Sequence, residues 1–237
     1  MIALEQFAPR GAGGPYRVAL QPREVLGLIA PDGDEGRLFL EALAGSARHG
    51  GRVAVDGRAR RAGDVAYAPE EAEQILFGRT GRDALRGARA AAALCALGGE
   101  ALLDRDFLQM SSGERRRLAL AAVLGSGRAL LLFDRPTAGL DPEGQERFWQ
   151  ALRGAQAAVV VAVLDAAEAA RCDLLLALPG RGEPEPAADL VPRALGLRAG
   201  WPPSPLAQLA AALLGEAADI GSLREEVEAR CERRHQG

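Results

Sequence analysis

Hydrophobic positions along this chain fall into two rhythms. Short unbroken apolar runs, Val25–Ile29, Ala129–Phe133, Ala157–Leu164 and Leu174–Leu178, each end at a polar or turn residue. Runs of that length with no polar alternation predict strands covered on both faces, as in a parallel sheet. Between them lie helix-like stretches: one following APDG, with Leu40, Ala42, Leu43 and Ala44, and a basic one opening near Glu114. Ala-rich Asp83–Leu103, with Leu85, Leu94 and Leu97 as a partial apolar stripe, predicts another helix. Met1–Gln21 reads as a strand, a Gly-rich turn at Gly11–Gly14 and a second strand through Tyr16–Leu20. Arg52–Val55 and Asp64–Tyr67 read as short strands flanking a turn at Asp56-Gly57. Strands alternating with helices predict an α/β domain over residues 1–178. From Pro179 the sequence turns to PGRGEPEP, a predicted turn or linker. Two further helices are predicted in 179–237, the first opened by Pro205 behind a Ser204 cap.

Composition narrows the chemistry. With 237 residues, 48% hydrophobic but only 4% aromatic, the core must be built from aliphatic side chains and alanine. A formal charge of −3 argues against a general nucleic-acid-binding surface. There is no lysine, so arginine carries the cationic chemistry apart from the histidines, His49 and His235. Cys95, Cys172 and Cys231 form no CxxC pair and have no histidine at zinc spacing, so no metal centre is expected. No apolar run reaches the ~20 residues of a membrane-spanning helix, and the N-terminus shows no signal-peptide core. Membrane association is therefore expected only through a partner.

The richest stretch is Leu108–Pro142, LQMSSGERRRLALAAVLGSGRALLLFDRPTAGLDP. Ser111, Ser112 and Gly113 form a small turn before a helix, where backbone N–H groups and a hydroxyl suit a phosphate. Asp134 follows an apolar strand abruptly, the placement of a carboxylate at a metal–phosphate site.

In order and spacing, this stretch resembles the signature, Walker B and D-loop motifs of ABC-type ATPases. MSSGE stands for LSGGQ, LLLFD for the Walker B strand, and AGLD for the D-loop. The segment VAYAPEEAEQILFGRT further resembles energy-coupling-factor and cobalt-type transporter ATPases. The resemblance implies a P-loop NTPase-like ABC nucleotide-binding domain with an antiparallel β edge subdomain. It also implies a small helical lobe at about 71–125 and a C-terminal helical extension that helps pair ATPase subunits. Phe7 or Tyr16 would stack on adenine, and Ile75, Leu76 and Phe77 would form an apolar patch for docking or for lobe packing.

Several departures bear on function. APDGDEGRLFLEALAG aligns on GPNGSGKSTLLRALAG, a P-loop, keeping Gly33. Yet Ala30 replaces the first glycine, Glu35 the third, Gly36 the lysine, and Arg37 and Leu38 the hydroxyl residues. Sliding the alignment by one puts Arg37 at the lysine but Pro31 at the first glycine, and still supplies no hydroxyl at Leu38. Without the lysine and the magnesium-binding hydroxyl, a P-loop lacks its side-chain grip on MgATP. Asp32, Asp34 and Glu35 would add carboxylates where a triphosphate sits.

Glu70 stands at the family's Q-loop glutamine, Arg135 at its catalytic glutamate, and Leu164 at its switch histidine. A guanidinium cannot act as a general base. The family's residues that act across a dimer persist as Ser111, Gly113, Glu114 and Asp141, with Ser112 replacing a glycine; Asp134 also survives. The resemblance thus implies a catalytically degenerate ATP-binding subunit that pairs with an active ATPase and supplies the signature in trans. ATP and Mg would be held by the partner, this chain's own site would bind MgATP poorly, and a transmembrane transporter subunit would be served. The chain would sit on the inner face of the cell membrane. Two alternatives remain open: a scaffold or regulatory pseudo-ATPase that binds no nucleotide, and a weakly active ABC ATPase.

Overall fold

The computed structural model describes residues 1–30, 34–71, 76–85 and 87–187. Two sheets sandwich one helix, and further helices cover the far face. The first sheet joins β1 (Ile2–Pro9), β2 (Gly13–Leu20), β4 (His49–Val55), β5 (Arg58–Ala59) and β10 (Gly180–Gly182), in the order β10-β2-β1-β4-β5. Its β2-β1-β4-β5 portion is antiparallel. The second contains β3 (Val25–Ile29), β6 (Val65–Ala68), β7 (Leu130–Asp134), β8 (Ala158–Ala162), β9 (Leu174–Ala177) and β11 (Glu185–Pro186), in the order β11-β9-β3-β8-β7-β6. Its inner pairings are parallel, and only β11 runs against its neighbour. The apolar runs are therefore the parallel strands, each within a residue or two of the predicted bounds.

Alternation along those strands divides the core. Leu130, Leu132, Ala158 and Val160 face the helix α1 (Asp34–Ala44) and the first sheet, meeting Phe39, Leu40 and Leu43. Leu131, Phe133, Val159 and Val161 face the other way, toward α4 (Ser112–Leu124) and α5 (Pro142–Arg153). Burial on both faces is why these strands tolerate no polar residue until their C-terminal ends.

Two expectations need correcting. The helix predicted over Asp83–Leu103 is instead α2 (Gly81–Ala84), α3 (Ala88–Ala96) and a 3-10 turn at Glu100–Leu102. Gly87 (φ 91°), at the start of α3, and Gly98 (φ 70°), just past its end, adopt positive-φ backbone that interrupts the run. The stretch after Pro179 is no free linker, because β10 and β11 return to the two sheets. The Tyr16 hydroxyl fastens that return, donating to the Ala12 carbonyl at 2.6 Å and accepting from the Gly180 N–H at 2.9 Å. The predicted C-terminal helices lie outside the described residues. Among the described residues no helix is long and apolar enough to cross a membrane.

Candidate functional site

Parallel α/β sheets bind ligands beyond the carboxyl ends of their strands, and Ala30, Glu70, Asp134, Arg135 and Leu164 lie at or just past those ends. Ala30 follows β3 and α1 begins at Asp34; Gly33, with Pro31 and Asp32, lies outside the described residues. Gly36 is buried against β8: a Cβ there would come 3.3 Å from the Ala162 Cβ. Arg37 folds back on its own helix, donating to Glu41 at 2.9 Å and reaching Asp34 at 3.4 Å. Those carboxylates, Glu41 foremost, raise its already high pKa. Leu38, half-buried, packs with the α1-side core. Glu35 is close enough to raise the buried Tyr16 phenol, although burial is the main cause. Of the expected carboxylates at the triphosphate position, Asp34 is thus engaged by Arg37, and Glu35 keeps one buried oxygen without a hydrogen bond among the described residues.

Asp134 closes β7 and is 2% exposed, with Oδ2 making no hydrogen bond among the described residues. Burial, then the Glu70 carboxylate, pushes its pKa up to about 6, while Arg135 works against the rise. The Tyr67 phenol is raised by burial and next by Asp134, and its hydroxyl also lacks a well-formed hydrogen bond. Arg135 takes left-handed backbone (φ 44°) and its Nη1 lies 3.3 Å from Glu70 Oε1. Behind this pair, Arg116 of α4 binds three carbonyls: Glu70 at 2.6 Å, Arg135 at 2.6 Å and Pro136 at 3.1 Å.

The Ser111–Glu114 turn is built differently. Ser111 caps α4, its hydroxyl accepting from the Glu114 N–H at 3.2 Å while Glu114 accepts from the Ser111 N–H at 2.8 Å. This reciprocal capping box leaves Ser111 and Ser112 exposed. Bonding from the Ser111 N–H chiefly lowers the Glu114 pKa, and Arg105 adds an ion pair at 2.7 Å. The loop before α5 lies alongside: a Cβ on Gly113 would lie 3.7 Å from the Gly139 carbonyl, and Arg117 meets Asp141 at 3.4 Å. Asp141 itself caps α5, accepting from the Gly144 N–H at 2.8 Å.

Leu164, 44% exposed, follows β8, and Asp165 caps α6 (Ala166–Ala170) by accepting from the Glu168 N–H at 2.9 Å. Glu168 was not anticipated. Buried, it accepts from the Leu164 N–H at 2.8 Å and from the Thr137 hydroxyl, joining the loops after β7 and β8. Its one sequence signal is a lone acid inside the alanine run AAEAA.

The adenine-stacking candidates need correction. Phe7 and Tyr16 are fully buried, both edge-on to Phe39, so neither ring has a face free for a base. Of the apolar patch, Leu76 is buried and Phe77 is 78% exposed, while Ile75 lies outside the described residues.

Residues 16–138 match the family model described as ABC transporter. The chain belongs to that family. It is 40% identical over 83 residues to the energy-coupling factor transporter ATP-binding protein EcfA2 of Streptococcus pneumoniae, covering 35% of this chain and 28% of that protein. It is 32% identical over 164 residues to the cobalt import ATP-binding protein CbiO of Rhodobacter capsulatus, covering 60% of this chain and 59% of that protein. The matched segments thus span less than two thirds of either relative. Among solved structures, cbiO1 of Clostridium perfringens aligns with a TM-score of 0.64 at 19% identity, covering 76% of this chain and 85% of that one. A dimeric ATP-binding cassette, MJ0796, bound to ADP and Pi, gives 0.64 at 18% identity, covering 75% and 94%. At those identities the structural likeness shows the fold, an α/β ABC nucleotide-binding cassette.

Proposed function

We propose that this chain is a catalytically degenerate ATP-binding subunit of an energy-coupling-factor or cobalt-type ABC transporter. It pairs with an active ATPase subunit and supplies the signature turn, Ser111–Glu114, and Asp141 to the nucleotide held by that partner. The pair docks on a transmembrane subunit, which keeps it at the inner face of the cell membrane. The carrying observation is an asymmetry between two surfaces of one domain. The signature turn is capped, exposed and flanked by the D-loop. The residues that would serve the chain's own nucleotide are absent or bound to each other: Gly36 and Leu38 have no polar side chain, Arg37 is held by Glu41, and Arg135 by Glu70. A P-loop without its lysine and hydroxyl, beside an arginine at the base position, supports poor binding of MgATP in cis. The kinship with EcfA2 and CbiO proteins supports the transporter assignment.

The test is MgATP turnover by the complex with the active ATPase, comparing wild type with Ser112→Arg. Ser112 suits the purpose better than Ser111, whose hydroxyl is the helix cap. An arginine at this exposed position blocks contact with a phosphate across the dimer while leaving the cap in place. Turnover should fall by about tenfold or more, since one lost transition-state contact is worth a few kcal/mol. Unchanged turnover would favour the scaffold reading, and MgATP hydrolysis by the isolated chain would favour the weakly active one.

A further inference from the structure

The loops after β6 and β7 approach one another at the sheet's carboxyl end, bringing the Glu70 and Asp134 carboxylates within mutual influence. Like charges gathered in a partly buried site call for a cation. A magnesium ion demands near-octahedral oxygen ligation, and these residues do not fit it. Leu38 offers no oxygen, and Glu70 is engaged by a guanidinium. Among the described residues no group of three or more acidic, histidine or cysteine side chains could hold a metal.

Building on the degenerate-site reading, we infer that Arg135 is a built-in cation replacing a divalent metal between the loops, while Arg116 fixes their spacing without nucleotide or metal. The two arginines act at different levels. Arg116 joins the loops through backbone, its planar fork reaching the carbonyls of Glu70 and Arg135 at 2.6 Å each and of Pro136 at 3.1 Å. Arg135 joins them through side chains, its Nη1 3.3 Å from Glu70 Oε1. The left-handed backbone at Arg135 (φ 44°) is held by its N–H donating to the Ala162 carbonyl at 3.2 Å and by the Arg116 bond to its own carbonyl. Both partners of the side-chain pair are partly exposed, 30% and 47%, so the pair contributes little stability. Its effect is on charge: the guanidinium offsets the repulsion between Glu70 and Asp134 and opposes the approach of a dication.

The inference predicts that the loop geometry is indifferent to magnesium and that removing the Arg135 charge creates metal dependence. The isolated full chain would be melted in millimolar magnesium and in EDTA, and titrated with manganese followed by electron paramagnetic resonance. Wild type should show the same Tm in both buffers and no bound manganese. Arg135→Glu places a third carboxylate beside the other two, and its Tm should rise by roughly 2–5 °C with magnesium near ten times Kd. Should Arg135→Glu fail to fold, Arg135→Gln keeps the inference exposed. Its manganese affinity should exceed that of wild type by at least about tenfold. Magnesium stabilisation of wild type overturns the inference, as does a folded Arg135→Glu with no magnesium response or an Arg135→Gln no tighter for manganese. A neutral Ser112→Arg result in the partner complex would instead remove the pairing reading and leave these metal titrations unaffected.

Discussion

Replacing Arg116 by leucine separates the backbone clamp from the rest of α4. Leucine keeps helix propensity and an apolar stem but removes every donor. The lost contacts are the carbonyls of Glu70, Arg135 and Pro136. The bond to Glu70 is exposed, so water can replace it at little cost; those to Arg135 and Pro136 are part-buried. Hydrogen bonds from a charged donor contribute about 1.5–3 kcal/mol each, discounted here for partial exposure, so Arg116→Leu should cost roughly 2–4 kcal/mol. For a chain of this size that is a Tm decrease of roughly 5–10 °C. The neighbouring Arg117→Leu is the internal control. Among the described residues Arg117 makes long contacts with Asp141, at 3.4 and 3.5 Å, and its Nε is buried without a hydrogen bond, so the change should stay within about 0.5 kcal/mol. Urea denaturation followed by far-UV circular dichroism, compared at a common m-value, measures both. If Arg116→Leu costs no more than Arg117→Leu, the clamp does not hold the two loops and the reasoning from its geometry fails.

Two further outcomes follow from the same geometry. Ser111→Ala removes a side-chain cap and one half of the capping box, and should cost about 1 kcal/mol in urea denaturation, whereas Ser111→Asp should retain most of it. Asp134 should impose a pH dependence. Its folded pKa of about 6 exceeds the usual value near 4, so the native state holds the proton more tightly than the unfolded chain. The resulting destabilisation is absent below about pH 4, grows as pH rises to 6, and reaches roughly 3 kcal/mol above that. Asp134→Asn should therefore be stabilised relative to wild type at pH 7 but not at pH 4; a difference independent of pH would refute the effect of the carboxylate's burial.

The local structure around two of the candidate residues was legible because it depends on near neighbours. The Ser111–Glu114 capping box is a four-residue pattern, and Asp134 stands out as the polar end of an apolar strand. Phe7 and Tyr16 misled because an aromatic near the N-terminus reads the same whether it faces solvent or Phe39. Glu168 went unnoticed because its role depends on Thr137 and Leu164, which arrive from separate strand ends.

By itself, then, the sequence determined the α/β class, the parallel strands and the motif order, since unbroken apolar runs and capped turns depend on neighbours close along the chain. It also determined which side chains stand at positions 34–38 behind β3, because residue identity needs no coordinates. Tertiary structure alone decided what the substitutes do. Arg115, Arg116 and Arg117 are consecutive in GERRRL, yet one stacks over Phe107, one clamps the Glu70 and Arg135 loops, and one turns to Asp141. Successive helix positions point about 100° apart, so each arginine takes its partner from whichever loop folding brings to that side.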